Sequence, residues 1–120
     1  QGAQAGGESA LLVGTAEILI HDVPFPMERG EMRRVGEGLL TRAPLGGTLV
    51  LAAGTVLLLL SEAMTRRGLD AGRIAKELCE ALGGAGGGRP GLGQGTLPES
   101  AHRSAVERLR TILETALEES

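Results

Sequence analysis

Between Leu82 and Leu97 the chain reads LGGAGGGRPGLGQGTL, and no other stretch limits its fold as much. Six of the first seven residues are Gly or Ala, Arg89-Pro90 follows, and Gly91, Gly93 and Gly95 then surround Gln94. Glycine loses more backbone freedom on ordering than any other residue, so neither helix nor strand favours this composition. It suits a loop whose unshielded N–H groups can come close to a phosphate or a neighbouring backbone, with one guanidinium in the middle. The segments on either side, Asp70 to Leu82 and Ser100 to Glu118, read as helices. The loop is therefore set between ordered elements and is not a tail.

A chain of 120 residues forms one domain with little core to spare. Phe25 is its one aromatic residue, so the core has to be built from Leu, Val, Ile and Ala. A net charge of −3 excludes nucleic-acid binding by bulk electrostatics, and any RNA contact has to be local. Lys76 is the one lysine among the basic residues, a bias that reflects coding composition rather than function. Cys79 is the single cysteine, which excludes an internal disulfide and a cysteine metal cluster. It falls on the apolar side of its segment and reads as a small buried hydrophobe. The apolar run Thr48 to Leu60 is broken by Gly54-Thr55 and is too short to span a bilayer. With no signal-peptide pattern, the expected compartment is the cytoplasm, with no membrane partner.

Taken in order, residues 1–9 are small and polar and read as a linker or frayed end, which leaves residues 10–120 as the domain. Leu11 to Ile20 is apolar and partly β-branched and reads as one strand, with Gly14 marking a bulge or a close backbone approach. Two prolines in His21 to Pro26 stop any regular element. Met32, Val35 and Leu39 have helical spacing within Met27 to Thr41. Thr48 to Ala53 and Thr55 to Leu60 read as two buried strands about a turn at Gly54. A single helix is the alternative, against which Gly46, Gly47 and Gly54 argue. Ser61 suits the cap of a short helix over residues 62–67, closed by Gly68. Asp70 suits the cap of the next helix, with Leu69 and Ile74 placed for a hydrophobic staple. Thr96 and Glu99 have capping-box spacing before a final amphipathic helix. Along that helix Ala101, Ala105, Leu109, Ile112, Leu113, Ala116 and Leu117 recur at steps of three and four. The fold expected is α/β (α+β): a single mixed β-sheet of about four or five strands flanked by helices, ending in the C-terminal amphipathic helix.

The catalytic inventory is thin. His21 and His102 are the only side chains suited to general-base work near neutral pH, and neither has a carboxylate and nucleophile at a recognised spacing. Both read as surface or structural residues. His21-Asp22 offers two metal ligands without a third, which is not a site. Ser61, Ser100 and Ser104 lack the strand-to-helix setting of an activated nucleophile. No catalytic residue and no metal site are expected. The Gly stretch is not a Walker A loop, since no Lys-Ser or Lys-Thr closes it, and it follows a helix where a dinucleotide fingerprint follows a strand. Two readings of it stand level on the residues alone. One is anion contact by loop N–H groups and Arg89. The other is a structural crossover in which Arg89 meets a carboxylate and the glycines admit close packing. The paired arginines Arg33-Arg34 and Arg66-Arg67, and the later Arg103, Arg108 and Arg110, read as solvated helix faces. Without aromatics there is no stacking platform for single strands, so RNA binding would rest on shape and backbone.

The run GGGRPGLGQG resembles the GGGRPDMAQAGG signature of the C-terminal globular domain of alanyl-tRNA synthetases, which is related to the domain that follows DHH phosphoesterase domains. The order of elements is similar from about Ala10 to the end. The run departs from the family at Gly91-Leu92, where Asp-Met is usual, and at Gly93, which replaces Ala, so contacts made through Asp-Met are not carried over. The resemblance implies a tRNA-binding domain that holds the outer corner of alanine tRNA and links the charging and editing modules of its parent. It implies RNA contact at Gly86, Gly87, Gly88 and Arg89, with Gln94 meeting a base or ribose or else pairing within a short strand. It implies no cofactor in this domain; ATP, Mg and an editing-domain zinc would serve the parent enzyme. Two other readings are kept. One is the substrate-binding part of a DHH-type phosphoesterase, although that family has His where Arg89 stands. The other is a protein-interaction module that forms a homodimer through the last helix.

Overall fold

The structure is a computed structural model and describes residues 7–119. The apolar run near the start folds as a hairpin of β1 (Gly7–Val13) and β2 (Ala16–Val23), with Val13 opposite Ala16. Gly14 is therefore not a bulge in one strand but the first residue of a two-residue turn, at φ +63°, where that turn needs a positive φ. Residues 7–9, expected in the linker, belong to β1, and residues 1–6 lie outside the described residues. Helix α1 (Arg29–Leu40) buries Met32 and Leu39 and half-buries Val35, as the spacing predicts. β3 (Gly47–Ala52) and β4 (Thr55–Leu60) form the expected hairpin about Ala53-Gly54.

The short helix α2 (Glu62–Arg66) starts at Ser61, whose hydroxyl accepts from the Met64 N–H at 3.3 Å. Helix α3 (Ala71–Ala81) starts at Asp70, whose carboxylate accepts from the Arg73 N–H at 3.2 Å. Leu69 and Ile74 are both buried across that start, as a staple requires. The glycine stretch is not a loop. It forms a second hairpin, β5 (Ala85–Arg89) and β6 (Leu92–Thr96), turning at Pro90-Gly91. Thr96 ends β6 opposite Thr55 and Ala85 and caps nothing, because the strand ladder holds it. A 3-10 turn, Glu99–Ala101, leads instead into α4 (His102–Glu119).

The result is the expected single mixed sheet, with six strands among the described residues rather than four or five, in the order β1-β2-β3-β4-β6-β5. Of its neighbouring pairs only β2 and β3 are parallel, joined by α1 as the crossover. The two apolar hairpin strands sit at the centre and are covered on both faces, which is why their sequence is apolar without alternation. On one face α3 and α4 bury Ile18, Ile20, Leu49, Leu51, Val56 and Leu58 beneath Ile74, Leu78, Leu109 and Leu113. On the other, α1 covers Val23, Val50, Leu57, Leu59 and Leu92. The apolar stripe of α4 is thus used within the domain's own core. Among the described residues, no helix is long and apolar enough to cross a membrane.

Candidate nucleic-acid interface

A strand sends alternate side chains to opposite faces, so the glycine hairpin divides its residues into two sets. Gly86, Gly88, Gly93 and Gly95 face α3. A Cβ on Gly86 would lie 2.7 Å from the Ala75 carbonyl oxygen, and one on Gly95 would lie 2.8 Å from the Cys79 sulfur. Gly93 is closed off by the Ala71 carbonyl oxygen in the same way, and Gly88 adds a backbone φ of +143°. Helix α3 answers with its small face of Ala71, Gly72, Ala75 and Cys79, all buried. These glycines let helix and hairpin backbones approach, the close packing that one reading of the stretch anticipates. Burial, with Glu80 nearby, pushes the Cys79 thiol above its ordinary range, so it is a packed and unreactive group.

The other set is Ala85, Gly87 and Arg89 from β5 with Leu92, Gln94 and Thr96 from β6. Gly87 pairs with Gln94, and Arg89 with Leu92. Helix α1 covers β4 and reaches Leu92, but most of this face is left open, with Ala85, Arg89 and Thr96 exposed. No atom lies within 4 Å of where a Gly87 Cβ would sit, and its φ is not positive. Neither packing nor backbone geometry therefore requires glycine at Gly87. The missing side chain leaves a slot beside Gln94, bounded along β5 by Arg89.

Of the five residues expected to touch RNA, the structure brings Gly87, Arg89 and Gln94 together on this open face and turns Gly86 and Gly88 toward α3. It also adds one that sequence reasoning missed. Arg29, at the start of α1, donates from Nη1 to the Gln94 Oε1. The two are 65 positions apart, and nothing in the local pattern of α1 marks Arg29 out from Arg33 or Arg34. Arg33 pairs with Glu37 at 2.9 Å and Arg66 with Glu62 at 3.1 Å, each one helical turn away, as solvated faces do. Arg110 reaches the Leu12 carbonyl at 3.4 Å. Arg89 has no such partner among the described residues, so no carboxylate holds it.

Of the two histidines, His102 ties separate elements together. His102 accepts the Gly54 N–H at Nε2 (3.0 Å) and meets the Asp22 carboxylate through Nδ1 (2.8 Å). This fixes a neutral ring with the proton on Nδ1, and its Nε2 lone pair is already used. His21 faces the opposite way, with Nδ1 3.6 Å from Glu8 Oε2. Adjacent on one strand, His21 and Asp22 cannot converge on a metal, and no group of three or more candidate ligands occurs among the described residues.

Comparison with known proteins agrees with this fold. The DHHA1 domain model matches residues 45–119. An alanine–tRNA ligase of Sorangium cellulosum is 32% identical over 98% of this chain and 14% of its own length. One from Caldicellulosiruptor saccharolyticus is 38% identical over 49% of this chain and 7% of its own. The chain thus spans a small part of the curated relatives it matches. Among solved structures, the C-Ala domain of Aquifex aeolicus alanyl-tRNA synthetase superposes with a TM-score of 0.74 at 22% identity, covering 88% of this chain and 98% of that one. A DHH-domain protein described as a member of a family of ribosomal proteins superposes at 0.68 with 17% identity, over 89% of this chain and 28% of that one. With more than half of its length inside the family model, the chain belongs to the DHHA1 domain family, and it shares its fold with the C-Ala domain.

Proposed function

We propose that this domain binds alanine tRNA as the C-terminal module of an alanyl-tRNA synthetase, through the open face of the glycine hairpin. The observation that carries the reading is the juxtaposition of Gly87, a glycine that the fold does not require, with the unpaired Arg89 guanidinium on an uncovered sheet face. A guanidinium beside a bare strand suits a phosphate, and the local charge compensates for a chain of net charge −3. On this reading the partners are the tRNA and the other domains of the synthetase, and the compartment is the cytoplasm. The domain is not catalytic by itself. ATP, Mg and the editing zinc belong to other parts of the parent enzyme.

The test is anisotropy of a labelled alanine tRNA transcript titrated with this chain at two salt concentrations. Binding should weaken with salt, and Arg89→Ala should weaken it about fivefold to tenfold and lower the salt slope by about one. A folded domain that does not bind at low salt would sink the proposal. A second reading takes the chain as the substrate-binding part of a DHH-type phosphoesterase, with a short oligonucleotide as ligand. Tighter binding of a di- or trinucleotide than of the tRNA would favour it.

A further inference from the structure

The chemistry of the open face narrows what it can recognise, given the RNA-binding reading above. Among the described residues Gln94 is the only amide side chain, and an amide can either donate or accept. Its partner removes the choice. A guanidinium carries donors only, so the end of the Gln94 side chain that meets Arg29 has to be Oε1. The Nε2 end, with two hydrogens, then has no partner among the described residues and stays free to donate, on a residue that pairs with Gly87. Across the sheet Gln94 lies between Leu57 of β4, which α1 covers, and Gly87 of β5, so its open side is the bare backbone at Gly87. Arg89 adds further donors. Of the residues whose side chains share this face of β5 and β6 (Ala85, Gly87, Arg89, Leu92, Gln94 and Thr96), none is acidic. Apart from the Gln94 Oε1, which Arg29 already occupies, the Thr96 hydroxyl is the one side chain in that set able to accept.

We propose that Gln94, oriented by Arg29, donates its amide to a non-bridging oxygen of an RNA phosphodiester seated over Gly87, with Arg29 and Arg89 flanking that phosphate. Arg29 is a positioning residue for the amide and contributes charge. The slot reads backbone rather than base. A base edge presenting an amino group finds no held acceptor in it, whereas a phosphate oxygen finds donors on three sides.

The alternative role for Gln94 is a strut that ties the start of α1 to the hairpin, and Gln94→Glu separates the two. Its carboxylate keeps and strengthens the Arg29 contact, so a strut survives, but it replaces the donor facing the ligand with a negative acceptor. We expect Gln94→Glu to hold its melting temperature and to bind alanine tRNA about tenfold or more weakly. Unchanged affinity in a folded Gln94→Glu chain overturns the proposal. Arg29→Met, which keeps the stem and removes the guanidinium, should weaken binding several-fold, and its effect should shrink when Gln94 is Met as well. Strict additivity of the two substitutions overturns the positioning role. Phosphate-ethylation interference on the bound tRNA gives the class of contact. Ethylation of one or two phosphates should block the wild type, while base substitution at the same nucleotides should not. The reverse pattern overturns phosphate recognition. Absence of binding by the wild-type chain defeats the RNA reading itself, a result distinct from tight binding that ignores Gln94.

Discussion

Gly86 and Gly87 are neighbours of identical chemistry in opposite surroundings, and a methyl group added to each tests the division of the hairpin into packing and open faces. Gly86→Ala forces a Cβ to within 2.7 Å of the Ala75 carbonyl, so hairpin and helix have to part. The expected cost is about 1–3 kcal/mol, the range for overpacking a close contact. Gly87→Ala meets no atom within 4 Å and removes the extra freedom of a glycine in the unfolded chain. It should leave stability unchanged or raise it by about 0.5–1 kcal/mol. Urea denaturation of the two variants checks this ordering, and an equal loss in both would show that the two faces are not distinct. Binding should invert it: Gly87→Ala narrows the slot and weakens tRNA affinity while the fold is preserved. At the same scale, His102 shows why a histidine without a sequence motif can still be specific. It joins the end of β2, the turn before β4 and the start of α4 through one ring.

Helix α3 is the element on which the site depends, although it does not line it. Its Ala71, Gly72 and Ala75 form a flat, small surface, and Gly86, Gly88, Gly93 and Gly95 lie directly against it. The edge hairpin is therefore held by backbone proximity rather than by large side chains. A hairpin of five glycines in ten strand residues has little β-propensity of its own. Its order is borrowed from α3 and from β4. Weakening α3 should therefore loosen the site. Asp70→Ala removes the side-chain cap on the Arg73 N–H and should cost about 1 kcal/mol. Hydrogen exchange would follow the consequence: amides of β5 and β6 should lose protection along with the first turn of α3, while those of β1 and β2 keep theirs. Uniform loss across the sheet would argue against this local dependence.

At the scale of the molecule, the two faces of the sheet have separate tasks. The face under α3 and α4 holds the larger core, with Leu109 and Leu113 fully buried, whereas the face under α1 carries a smaller core and the open slot. Leu109→Ala should cost about 2–5 kcal/mol, a large part of the stability of a small domain. Measured well below its melting temperature, its tRNA affinity should match the wild type, since nothing it touches borders the slot. A parallel loss of affinity would mean that the faces are coupled. Much of this architecture is legible in local pattern. The spacing of Met32, Val35 and Leu39, the caps at Ser61 and Asp70, the apolar strands about Gly54 and the long stripe of α4 each express a contact made within a few residues. The family is legible as well, because Gly86-Gly87-Gly88-Arg89-Pro90 is contiguous. What the chain order conceals is pairing. The hairpin at Gly14 lies within an unbroken apolar run, and the glycine stretch has no strand propensity until α3 and β4 supply partners. Local pattern therefore shows one strand where there are two and a loop where there is a hairpin, and it gives Thr96 to a cap. The composition of the site is likewise only half visible. Local sequence determined which residues could meet a phosphate, because donor chemistry belongs to the side chain. Only the tertiary structure decided which face each one takes, since strand alternation separates Gly87 from its neighbours and the fold of α1 brings Arg29 to Gln94 from far away in the chain.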